Sequence, residues 1–208
     1  TLIAGDSDHL WGDFMVTEGL VDPDKHKALN EHYYRQYQQG QLDIDEYLSF
    51  ALGPMAGMTP ETLSALQDKF LKRHVEPILL DAAFDLLQAH RVKGDTLIII
   101  TATNTLVTQP IANRLGVEHL IGFEAELEDG LYTGKPEGVP SFGEGKVQRI
   151  KAWCAEHQTS FEGTVFYSDS HNDLPLLREV AQAIAVDPDD LLRVEAQKCG
   201  WEIISLRP

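Results

Sequence analysis

Thr96-Leu97-Ile98-Ile99-Ile100-Thr101 is the segment that most restricts what this chain can fold into. It is a continuous β-branched and aliphatic run with no polar alternation. Such a run suits a strand covered on both faces, as in a parallel sheet with helices on each side. What surrounds it repeats the theme. Residues 77–89 place Leu79, Ala83, Leu86 and Leu87 at helical spacing, and Gly94-Asp95 then turns the chain into the strand. A helix ends at Leu115-Gly116, where glycine suits a left-handed cap. Residues 124–135 alternate around Asp129-Gly130, a hairpin signal. Helices over 145–157, from Leu174 and over 191–198 alternate with strands over 164–168, 183–186 and 201–206. The expectation is a doubly wound, Rossmann-like α/β fold with a mostly parallel sheet.

The first third reads differently. Helices are expected over 9–18, 24–38, 43–52 and 59–74, separated by Gly19, Asp22-Pro23, Gly40 and Gly53-Pro54. Thr59-Pro60 suits an N-cap followed by proline in the first helical turn. No β-branched run interrupts this stretch. The predicted organisation is an α/β core of residues 1–8 and 75–208, with an inserted helical cap over 9–74.

Charge narrows the partners. Asp and Glu number 33 against 17 Lys and Arg, a formal net charge of −16. Such a surface repels nucleic acid and anionic membranes, so neither is expected as a partner. A small phosphorylated metabolite is not excluded, because a local cation reverses the field inside a cleft. The longest apolar run, at 97–100, is far below membrane-spanning length, and no basic-then-apolar leader opens the sequence. A cytoplasmic location is expected. Cys154 and Cys199 read as reduced thiols, and the eight histidines lack zinc-ligand spacing.

Ligands of doubly wound sheets lie beyond the carboxyl ends of the strands. Thr101-Ala102-Thr103-Asn104 follows one strand, and Ser168-Asp169-Ser170-His171-Asn172-Asp173 ends another; Asn104, like Thr1, is expected among the phosphate- or substrate-binding residues. Asp169 and Asp173 can converge on one Mg2+, which takes oxygen ligands and keeps several waters. They can equally be a turn residue and a helix cap. Thr101 can donate to a phosphate, aided by the N–H groups of Ala102 and Thr103, or satisfy its own strand end. Lys146 can neutralise phosphate or lie solvated on a helix face. Together, in this order, they form a phosphoryl-transfer set that lacks a nucleophile.

Thr101, Lys146 and the stretch 168–173 resemble the second, third and fourth motifs of the haloacid dehalogenase superfamily of phosphatases, and Thr1-Leu2-Ile3 resembles the tail of its first, Asp-x-Asp-x-Thr motif. The cap placed between the first and second motifs resembles the phosphoserine phosphatase-like branch. The resemblance implies a Mg2+-dependent phosphatase working through an aspartyl-phosphate. It implies that Asp169 is a metal ligand, that Asp173 holds a metal water or Lys146, and that Thr101 and Lys146 stabilise charge on the transferring group. It also implies that both catalytic aspartates and the first core strand fall immediately before Thr1. A phosphotransferase, or a non-catalytic relative that only binds phosphate or a partner, would carry the same remaining motifs. A receiver domain has no room for the helical insert.

The segment after Thr1 is expected to line the cleft beneath the cap. Asp6 falls where phosphoserine phosphatases carry an acidic residue for the substrate ammonium, and Asp8 adds a second carboxylate; both can instead cap the helix that follows. Arg35 and Arg73 are the cap's arginines, and neither falls in the stretch 47–52 where a carboxylate-binding arginine is expected. Histidinol phosphate is therefore favoured over phosphoserine, with phosphocholine and phosphoethanolamine allowed by the same logic. Asn172 is expected to touch phosphate or substrate, the loop at Pro140-Ser141-Phe142 to be a plain connection, and His171 to face solvent.

Overall fold

A computed structural model describes residues 1–208. Its strands form two three-stranded half sheets. In the first, β1 (Ile98–Asn104) runs parallel to β2 (His119–Glu128), with Ile98 opposite His119 and Ile100 opposite Ile121. β2 turns at Asp129-Gly130, both with positive φ, into antiparallel β3 (Leu131–Glu137). The second half sheet is fully parallel: β4 (Val165–Ser168), β5 (Gln182–Val186) and β6 (Glu202–Ile204). The mostly parallel α/β fold expected from the run at 96–101 is the fold observed. Between β1 and β4 opens a cavity of about 940 Å³, lined by Ile99 and Ile100 on one side and Val165 and Tyr167 on the other.

β1 continues past Thr101 to Asn104, with its pairing interrupted between Ile100 and Asn104. Gly122 on β2 permits this. A Cβ there would stand 2.7 Å from the Thr103 carbonyl oxygen, so the irregular strand end packs backbone to backbone.

The helices begin where short polar residues can cap them. Asp6, Asp22, Asp43 and Thr59 accept backbone N–H groups at the starts of α1 (Ser7–Thr17), α2 (Pro23–Gln38), α3 (Ile44–Leu52) and α4 (Pro60–Phe70). After α4 the chain takes a π-helical turn, Leu71–Val75, and a 3-10 turn, Glu76–Ile78. α5 (Asp81–Lys93) therefore begins four residues later than residue 77, because Pro77 lies inside the preceding 3-10 turn rather than opening the helix. α6 (Thr105–Leu115) ends at Gly116 in the left-handed conformation. α7 (Glu144–Glu156), α8 (Leu174–Leu177) and α9 (Asp190–Cys199) complete the set. No helix is long and apolar enough to cross a membrane.

The largest apolar cluster crosses the expected boundary between core and cap. Trp11 and Phe14 of α1 and Phe70 of α4 pack in one group with Leu87 of α5 and Val107 and Ile111 of α6. The Trp11 and Phe70 rings meet edge to face at 5.1 Å. Peeling α1 and α4 from the core would expose these side chains at roughly 1.5–3 kcal/mol each. α2 contributes nothing to that cluster; its buried residues are His26 and Asn30. Of the helices over 9–74, α2 is thus the one held least by apolar burial.

Candidate active site

Lys146 and Asp173 form the most deeply buried ionic contact at the carboxyl ends of the strands. Lys146 Nζ lies 2.6 Å from Asp173 Oδ1, with side-chain exposures of 6% and 10%. The other carboxylate oxygen, Oδ2, accepts from Ser168 Oγ at 2.7 Å, and Ser168 Oγ accepts from Ser170 N at 3.1 Å. The last residue of β4, the turn after it and the first turn of α7 are tied together by one buried network. Gly145 explains how Lys146 gets there: a Cβ at 145 would stand 1.9 Å from the Pro140 carbonyl oxygen, so α7 starts pressed against the backbone of the preceding loop.

Asp169 is the carboxylate at the tip of β4. It faces the amino group of Thr1 at 2.6 Å and accepts from Thr1 Oγ1 at 3.1 Å. Burial pushes its carboxyl up, while hydrogen bonds from the Thr1 hydroxyl and from its own backbone N–H pull it down. Across the cavity stand Thr101, Ala102 and Thr103 at the end of β1. Thr101 Oγ1 accepts from Thr103 N at 3.1 Å, which leaves the hydroxyl proton free to be donated elsewhere. Thr1, Thr101, Lys146, Asp169 and Asp173 all line the same cavity.

Asn104 does not join them. Its side-chain oxygen caps α6 through Val107 N at 3.1 Å, and the residue is buried outside the cavity. A helix that starts at Thr105 leaves four orphan N–H groups, and the nearest carboxamide satisfies one. Asn172 also points away: its amide donates to the Tyr37 carbonyl of α2 at 3.0 Å. Each oxygen of Asp173 has a protein partner, Lys146 on one and Ser168 on the other, whereas Asp169 is the more exposed carboxylate of the two. Asp6 does cap α1, with Oδ1 accepting from Asp8 N and His9 N, yet it still lines the cavity. Asp8 lies beneath the helical region and accepts from Tyr47 Oη. His171 is not solvent-facing: Nδ1 lies 2.8 Å from Asp189 Oδ2, and Nε2 is buried.

Tyr37 and Tyr47 line the cavity and went unread in the sequence. Tyr37 Oη donates to Ser170 Oγ at 3.3 Å, so α2 rests directly on the turn that carries Asp169. Burial first, and the neighbouring carboxylates next, push its phenol well above the ordinary range, so it remains a neutral donor. The signal available was Tyr33 and Tyr37 at i, i+4 in an otherwise polar helix, which puts two aromatic rings on one face. The cap's arginines lie elsewhere: Arg35 approaches Glu31, and Arg73 pairs with Glu18.

The donor chemistry fits a hard divalent cation. Mg2+ is held by one or two carboxylates together with substrate phosphate and waters, not by a full protein cage. Asp169 offers such a carboxylate, with its side chain 39% exposed at the cavity. No group of three or more His, Cys, Asp or Glu side chains is placed so that it could hold a metal ion by itself.

The model of the haloacid dehalogenase-like hydrolases matches residues 1–178. A histidinol-phosphatase from Neisseria meningitidis serogroup C is 40% identical over 211 residues, covering 100% of this chain and 95% of that protein. Phosphoserine phosphatase SerB1 of Mycobacterium tuberculosis is 33% identical over 157 residues, 76% of this chain but only 51% of that protein. Among solved structures, a protein of unknown function from Bordetella pertussis Tohama I superposes with a TM-score of 0.93 at 40% identity, covering 100% of this chain and 95% of the other. A phosphoserine phosphatase solved as a phospho-aspartyl intermediate analogue superposes with a TM-score of 0.69 at 16% identity, covering 100% and 89%, a likeness of fold.

Proposed function

The chain belongs to the haloacid dehalogenase-like hydrolases, among relatives named as phosphatases, and on that premise we propose that it hydrolyses a small amine-bearing phosphomonoester, histidinol phosphate in preference to phosphoserine. The observation that carries this reading is the buried Lys146–Asp173 pair, facing the same cavity as Thr101 and Asp169.

Each residue's part follows from its contacts. Lys146 keeps two of its three N–H donors after pairing with Asp173, and these serve the phosphate oxygens. Asp173 is the residue that aims Lys146. Thr101 has its lone pair engaged by Thr103 N and its proton free, so it donates to a second phosphate oxygen. Asp169 would hold Mg2+, whose role when bound is to draw charge from the phosphoryl oxygens. The nucleophile of this reading is an aspartate of an Asp-x-Asp segment just upstream of Thr1, on a strand that runs between the facing edges of β1 and β4. It forms an aspartyl-phosphate that water then cleaves. Thr1 Oγ1 braces the Asp169 carboxylate beside it.

The head-group end of the cavity is acidic and aromatic: Asp6, Asp8, Tyr33, Tyr34, Tyr37 and Tyr47 line it. A substrate ammonium is attracted there, and a substrate carboxylate is repelled with no cap arginine to receive it. The full-length protein with Mg2+ is therefore expected to turn over histidinol phosphate with kcat/KM at least about tenfold above phosphoserine, since a polar group left unpaired costs about 1–3 kcal/mol. Phosphate release across histidinol phosphate, phosphoserine, phosphocholine and phosphoethanolamine measures this. Phosphoserine as the fastest substrate would refute the preference.

A further inference from the structure

Asp8 lines the cavity but has no task in phosphoryl transfer. It sits in the first turn of α1, which is anchored in the core, while Tyr47, its hydrogen-bond donor, sits on α3. Oδ2 takes the Tyr47 hydroxyl, and Oδ1 accepts from no protein donor. Tyr33 packs against the Tyr47 ring at 5.5 Å and against Phe50 at 5.1 Å, so the tyrosine is wedged in place from α2 and from its own helix. The other titratable groups at this end are Asp6, the cap of α1, His9 of α1, and Tyr33, Tyr34 and Tyr37 of α2; none is a lysine or arginine. Burial first, and then Asp6, pushes the Asp8 carboxyl up to about 7, against the opposing hydrogen bond from Tyr47. A carboxylate held beside a second one, without a protein cation, weakens the fold when ionised. It gains its counterpart when a ligand brings one.

We propose that Asp8 and Tyr47 are the specificity pair of this cavity: Asp8 accepts an N–H from the cationic or heteroaromatic head group of the phosphomonoester, and Tyr47 is the positioning residue that holds that carboxylate toward it from the helical cap. Asp6 is left to meet a second nitrogen on the same substrate. Recognition of the head group and seating of α3 then become one event, because the link between Asp8 and Tyr47 joins the anchored helix to the outer one. The proposal rests on the amine-bearing-substrate reading above.

The test uses the full-length protein, Asp8→Asn and Tyr47→Phe, assayed on histidinol phosphate and on 4-nitrophenyl phosphate, which has no basic head group. For histidinol phosphate, wild-type kcat/KM should rise with pH through about 7, as Asp8 ionises. Asp8→Asn should lower that kcat/KM about 10–100-fold, mostly through KM, and remove the acid limb. Its loss on 4-nitrophenyl phosphate should be at least about tenfold smaller. Tyr47→Phe should move the limb to higher pH, since the donor that favours the charged form is gone. Asp8→Asn should also raise Tm at pH 8 by a few degrees, because a costly buried charge is removed. Equal losses on both substrates, or no loss on either, would overturn the pairing while leaving the amine-bearing-substrate reading in place. Wild-type turnover of 4-nitrophenyl phosphate with none of histidinol phosphate would overturn the substrate reading, and the pairing with it. A wild-type protein inactive on every phosphomonoester would overturn the phosphatase reading itself.

Discussion

Lys146→Met is expected to lower kcat by about 10²–10³, the usual cost of removing one donor from a transferring group, and to destabilise the fold by about 3–5 kcal/mol. The second effect comes from what the substitution leaves behind. Asp173 is almost fully buried, with Lys146 on one oxygen and Ser168 on the other. Without the ammonium it is an uncompensated charge in a closed pocket. The double variant Lys146→Met, Asp173→Leu separates the two effects. With both charges gone, most of the lost stability should return, while kcat stays low because the ammonium that serves the phosphate oxygens is missing. Chemical denaturation and steady-state rates on the two variants report each effect independently. Full activity in the single variant would show that Lys146 serves the fold alone.

Asp169→Asn is expected to reduce turnover on the order of a thousandfold, the largest effect of any isosteric change in the cavity. The substitution preserves shape and hydrogen-bonding reach but removes the charge that faces the cavity. Oδ1 accepts from Thr1 Oγ1 and Oδ2 faces the Thr1 amino group, so an asparagine keeps the local packing and one acceptor. The folded stability should therefore change far less than kcat. A variant that loses activity by unfolding would show the reverse pattern, which thermal denaturation distinguishes.

How far the sequence reveals this molecule depends on the range of the interaction. The run at 96–101, the turn at Asp129-Gly130 and the cap at Thr59 are local, and each is legible because neighbours in sequence settle it; Asp22 and Asp43, expected as a breaker and as a first helical residue, turn out to be caps. The strand after residue 164 and its Asp169 were legible for the same reason. Asn104 was misread because a carboxamide at a strand end serves a phosphate or a following helix equally well, and the helix proved to start one residue later. Asp6 does both things at once, capping α1 while facing the cavity. Tyr37 and Tyr47 were invisible in a stronger sense. Tyr37 reaches Ser170 across 133 residues, and no local pattern announces a partner at that distance. His171 was read as exposed because Asp189, which fixes it, arrives from the start of α9. The extent of the helical cap was blurred by packing: α1 and α4 look like parts of a separate helical unit, yet their aromatic residues fill the same core as α6.

The proposed activity depends on Asp169 holding a divalent cation against a phosphate also gripped by Thr101 and Lys146. Phosphate release from histidinol phosphate by the full-length protein, stripped of metal by chelation and then titrated with Mg2+, tests it most directly. Release should fall to background on stripping and return with added Mg2+, with Asp169→Asn flat across the titration. Undiminished hydrolysis in the stripped protein, or Mg2+-restored turnover in Asp169→Asn equal to wild type, would contradict it.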